Sequence, residues 1–217
     1  MSNNTFRYAG EFEEQEAVIV GWPRIIQPVK GMFTEGVMVQ VVKALIGQVE
    51  KVIVNCGWPG TYDRCRELLT ESGVDLKDIT ITQMPDMMHW ARDYGPDIMK
   101  NDKGEMRLVH FRFDMYGMGE EDSEMSTLCH KYAPHMAAEL GCFDIVSSCL
   151  ISEGGDKEFN GAGVMMAIEE TEVAKRNGSM TRDEVEAEFK RVFNLKKVIW
   201  LPKCHWEEEP STTGVLD

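Results

Sequence analysis

The chain has 217 residues, of which 43% are hydrophobic and 28% charged, and a net charge of −14. This is a globular composition with room for one sizeable core or two small ones. So acidic a chain argues against a phosphate-backbone partner, which needs clustered Lys and Arg, and no nucleic-acid partner is expected. No apolar run approaches the about 18 residues of a membrane-spanning helix. The N-terminal stretch MSNNTFRYAGEFEEQE lacks the basic-then-apolar pattern of a secretion signal, so a cytoplasmic protein with no membrane partner is expected.

In chain order, AVIVGWP (17–23) is a short apolar run stopped by Pro and reads as a buried strand. From Glu35, the apolar residues Met38, Val41, Val42, Leu45 and Val49 recur at spacings of three and four, predicting an amphipathic helix. KVIVNC (51–56) is β-branched and reads as a strand. Gly57, Pro59 and Gly60 then break the chain before a helix over about 61–71, with Cys65, Leu68 and Leu69 on one face. ITITQM (79–84) alternates as a strand. A hairpin follows in DIMKNDKGEMRLVHFRF, turning at 101–104. Further on, a helix is expected at about 123–140 and a strand at 143–149. NGAG (160–163) marks another turn. Thr181 and Glu184 have capping-box spacing at the start of a last helix striped by Val185, Phe189 and Val192. KVIWLP (197–202) closes the series as a strand. With no Pro/Ser-rich linker, the chain is expected to lie within a single α/β domain over 1–217. Hairpins set between helices suit small strand–helix units side by side better than a doubly wound sheet.

The six cysteines are Cys56, Cys65, Cys129, Cys142, Cys149 and Cys204. They show no CxxC pairing and no His at metal spacing, so free thiols and no metal are expected. Two carboxylates stand out. Asp93, in HWARDYGP, follows a strand end and precedes Gly95-Pro96, and Glu153, in ISEGGD, follows another and precedes Gly154-Gly155. Functional side chains are often displayed just after strands, and glycine lets backbone or ligand come close. Converging, the two would make an anionic pocket suited to the planar five-donor guanidinium. The plainer alternatives stay open: an Arg92–Asp93 ion pair at a turn, Trp90 as a packing residue, and EEE (207–209) as a solvated face. Among the histidines, His89 and His110 are candidates by position only.

Taken in order, these motifs resemble the agmatine deiminase family, also called bacterial-type peptidylarginine deiminases, of the guanidine-modifying superfamily. The resemblance is carried by GEFEEQEAVIVGWP, WARDYGP, ISEGGDKEFNGAGVMMAIEETEVAKRN and VIWLP. It implies a pentein-type five-bladed α/β propeller, here incomplete at about three blades. It implies hydrolysis of a small cationic guanidinium substrate such as agmatine, to N-carbamoylputrescine and ammonia in polyamine synthesis, by a Cys nucleophile and a His proton shuttle, with no cofactor. It assigns Asp93 and Glu153 to the catalytic, guanidinium-holding acids and Trp90 to the pocket lining.

The family is longer and carries its nucleophilic Cys in a Gly-rich segment after a His-x-Asp; neither has a match here. Cys204 falls just after the VIWLP strand, next to His205, and neighbours in extended chain point to opposite faces, which makes a poor nucleophile–base pair. GVLD either places Val215 and Asp217 on the family's Gly-His-Val-Asp or belongs to an inserted loop, the alternative we favour. The expectation is an N-terminal portion of a deiminase, inactive alone, requiring a missing C-terminal part or self-association. The competing readings are a non-catalytic guanidinium-binding module and one half of a two-chain assembly.

Overall fold

A computed structural model describes residues 5–24, 35–86, 89–117 and 124–203. Its strands and helices are, in chain order, β1 (Arg7–Tyr8), β2 (Ala17–Gly21), α1 (Glu35–Leu45), β3 (Lys51–Asn55), α2 (Thr61–Glu71), β4 (Thr80–Thr82), α3 (Ala91–Tyr94), β5 (Asp97–Lys100), β6 (Met106–Arg112), α4 (Glu124–Leu140), β7 (Ile145–Ile151), β8 (Lys157–Phe159), β9 (Val164–Ile168), α5 (Arg182–Phe193) and β10 (Lys197–Leu201). They form a mixed α/β chain with three separate sheets among the described residues. Two compact units are formed, one from Glu14 to Ala91 and one from the segment up to Glu13 with the chain from Arg92 onward.

In the unit Glu14–Ala91, β2, β3 and β4 form a parallel sheet with β3 in the middle. Val52, Ile53 and Val54 of β3 are all buried, as expected of a central parallel strand covered on both faces. Met38, Val39 and Val42 of α1 and Cys65 and Leu69 of α2 pack with Val52 and Val54 in one cluster. The predicted stripe outruns the helix. Helix α1 ends at Leu45, Gly47 takes a left-handed φ of 81°, and Val49 reaches the same core from beyond the turn.

The other unit holds two sheets. One has the order β1-β5-β6-β7, with β5 antiparallel to both β1 and β6 and β7 parallel to β6. The second has the order β10-β9-β8, a β8–β9 hairpin with β10 added in parallel. Alternation along β6 sends Val109 and Phe111 into a cluster with Phe189 and Phe193 of α5, while Leu108 packs with Ala137 of α4. The same α5 cluster contains Phe159, Met165, Ala167 and Val198 of the second sheet, so this helix serves both. Burying one such Phe side chain contributes about 1.5–3 kcal/mol. The Thr181–Glu184 capping box is present as expected, and Asn194 ends the helix in a left-handed conformation. Strand β1 and a π-helical turn at Glu170–Lys175 had no counterpart in the sequence reading. Among the described residues no helix is long and apolar enough to cross a membrane.

Candidate functional site

WARDYGP is helical only in its middle. Residues Ala91–Tyr94 make a single helical turn, and its neighbouring residues diverge. Arg92 pairs with Glu11 and with Glu158, the latter at 3.3 Å, and not with Asp93. Adjacent residues on a helix do not face one another, which removes the local ion-pair alternative. The Asp93 carboxylate is held from both sides instead. The Gly155 N–H donates to its Oδ1 at 3.1 Å, and the Tyr116 hydroxyl donates to its Oδ2 at 2.7 Å.

The EGG segment turns sharply after β7 over Gly154–Asp156. A Cβ on Gly154 would lie 2.0 Å from the carbonyl oxygen of Arg92, so glycine is required for the turn to approach α3. That approach brings the Gly155 amide to Asp93, and it brings Asp93 and Glu153 into one network. Glu153 is only 1% exposed. Its Oε1 accepts from Arg176 Nε at 2.7 Å, and its carboxylate also hydrogen-bonds with the Asp156 carboxyl.

Around Glu153 lies a buried set of charges. The Lys157 ammonium, fully buried, donates to Ser152 Oγ at 2.7 Å and to the Glu153 carbonyl at 2.6 Å. Its Nζ is 3.9 Å from Asp97 and 4.6 Å from the Phe111 ring centre. Ser152 in turn donates to Glu172, also fully buried. Asp97, Glu153, Asp156 and Glu172 thus share this interior with two cations, Lys157 and Arg176. Burial pushes the carboxyls of Asp156, Glu172 and Asp97 above the usual carboxylate range; the negative neighbours Glu172 and Glu153 reinforce this at Asp156.

The segment after β6 closes over these groups. Met115 and Tyr116 have φ of 60° and 62°, followed by Gly117 at 73°. Asp114 accepts from the Gly117 N–H at 2.8 Å and lies 3.8 Å from Arg176 Nε. A Cβ at Gly117 would stand 3.1 Å from Arg176 Nη1. One short loop therefore touches the partners of both candidate carboxylates.

Trp90 belongs to the unit Glu14–Ala91, where its ring packs against His89 at 4.4 Å and remains 42% exposed. His110 is pushed down to about 4, by burial first and by His130 second, and His130 accepts from the Phe113 N–H. Cys56, Cys65, Cys129 and Cys142 are buried free thiols and Cys149 is an exposed one. Cys204, His205, the EEE run and Asp217 lie outside the described residues. The sequence reading missed Tyr116, Asp156, Lys157 and Glu172. Arg176 lay within the quoted ISEGGDKEFNGAGVMMAIEETEVAKRN segment without a role of its own, and none of these residues carries a local pattern that separates it from an ordinary surface residue.

The family model described as Porphyromonas-type peptidyl-arginine deiminase matches residues 7–217. The chain belongs to this family. Among proteins similar to this family member, the agmatine deiminase of Pseudomonas syringae pv. syringae is 28% identical over 226 residues, covering 98% of this chain and 56% of that one. The solved agmatine deiminase of Enterococcus faecalis has a TM-score of 0.80 at 26% identity, covering 97% of this chain and 56% of that one. A C. jejuni agmatine deiminase, at 19% identity and a TM-score of 0.68 over 92% of this chain and 56% of that one, shares the fold. The chain spans about half the length of the curated relatives it matches.

Proposed function

We propose that the chain supplies the guanidinium-holding part of an agmatine deiminase-like hydrolase. The observation that carries this is that one unit brings the Asp93 carboxylate, held by Gly155 and Tyr116, and the buried Glu153 to the same turn. Two carboxylates of this kind suit the planar, cationic N–H donors of a guanidinium. In this reading Asp93 and Glu153 accept the N–H groups of agmatine. A thiolate attacks the guanidinium carbon, ammonia leaves, and water cleaves the resulting thiouronium to N-carbamoylputrescine and regenerates the thiol. The three sheets are then three blades of a five-bladed propeller. The Cys and His of that chemistry have no match in the sequence, so the 217-residue chain is expected to bind agmatine and to release no ammonia from it.

A structural role is the second reading, favoured by Arg176, whose own guanidinium occupies Glu153 Oε1. Titration calorimetry with agmatine separates the two. Binding by the wild-type chain that Asp93→Asn abolishes supports the pocket. No heat of binding, or affinity unchanged in Asp93→Asn, leaves only the structural role.

A further inference from the structure

We infer that Tyr116 is a positioning residue that makes Asp93 selective for guanidinium over a simple ammonium, resting on the proposed pocket. Among the described residues only Met115, Tyr116 and Asn194 combine a side chain with positive φ. Asn194 caps a helix, where that conformation is ordinary. Met115 and Tyr116 cap nothing, and such residues persist only where surrounding contacts over-determine them. Here the contacts are the Asp114–Gly117 hydrogen bond, the edge-on packing of Tyr116 against Phe113 at 5.2 Å, and the hydroxyl bond to Asp93. The strained turn is what aims the hydroxyl.

The effect on Asp93 is geometric. One donor on Oδ2 and another on Oδ1 stop the carboxylate from turning about its Cβ–Cγ bond. An ionised carboxylate has about four acceptor sites, so one stays open on each oxygen. Two fixed sites on one plane match the parallel N–H pair of a guanidinium. An ammonium is a point charge with rotatable donors and gains little from a fixed plane. Losing the Tyr116 hydroxyl frees the plane and leaves the charge in place.

The test is calorimetric titration of the wild-type chain, Tyr116→Phe and Asp93→Asn with agmatine and with pentylammonium, alongside thermal melts. Tyr116→Phe keeps the ring and its contact with Phe113 and is expected to stay folded. Its agmatine affinity is expected to fall about tenfold, the worth of one ordered hydrogen bond, while pentylammonium affinity changes by less than about twofold. An unchanged ratio of the two affinities in Tyr116→Phe, whether both fall or neither does, overturns the inference; if Asp93→Asn still loses both ligands, the pocket stands. Absence of agmatine binding by the wild-type chain removes the pocket and the inference together.

Discussion

Gly154 shows how one missing methyl group organises the network. Its Cα stands where any side chain would strike the Arg92 carbonyl, so the approach of the two turns depends on it. Gly154→Ala is expected to lose about 1–3 kcal/mol by overpacking against a backbone atom that cannot swing away, read as a lower urea midpoint. At this scale, Asp93 and Glu153 were legible because a carboxylate beside glycines after a strand is a local pattern. Tyr116 and Arg176 were not, because each sits 23 residues from its carboxylate and only the fold joins them. The Arg92–Asp93 pairing was a reasonable reading for a turn; helical geometry at Ala91–Tyr94 sends the two side chains apart.

Elements were legible where periodicity and end signals agreed. Helix α5 is the clearest case, because its apolar stripe is bounded by a side-chain cap at Thr181 and a left-handed Asn194. Thr181→Ala removes the acceptor for the Glu184 N–H and should cost about 1 kcal/mol, seen as a drop of a few degrees in the melting temperature. The hairpin turns at 101–104 and 160–163 were equally visible, since Asn side chains fold back on their own loops there. Less was visible where a short segment borrows its order from elsewhere. β1 has two residues and exists through pairing with β5. The Glu170–Lys175 turn is pinned in part by Asn177, which donates to the Glu172 carbonyl.

For the molecule as a whole, the buried carboxyls set a pH response opposite to that of its surface ion pairs. Glu13 beside Arg7 and Glu188 beside Arg191 are both held at about 2, so their stabilisation is complete above the ordinary carboxylate range and is lost only in acid. Asp156 and Glu172 are raised by burial, so the folded chain keeps protons that the unfolded chain has released. Their contribution is whole below about pH 4 and declines as pH rises toward the raised values, by up to about 1.4 kcal/mol per unit and proton. Glu172→Gln keeps an acceptor for Ser152 and removes one titration. Between pH 5 and 8 its melting temperature should therefore fall less than that of the wild-type chain, and an equal or steeper fall would count against a proton held at Glu172.

The pairing of β1 with β5 also dictates an order of events. Tyr8 lies opposite Met99, while everything between Glu14 and Ala91 belongs to the other unit. The ribosome thus delivers β1 well before its partner, by about 5–20 seconds at ordinary elongation rates. During that interval the β2-β3-β4 sheet and its two helices can form, since all of their contacts come from chain already made. The sheet that carries β1 is consequently completed late, and its earliest strand is stitched in after β5 has been made.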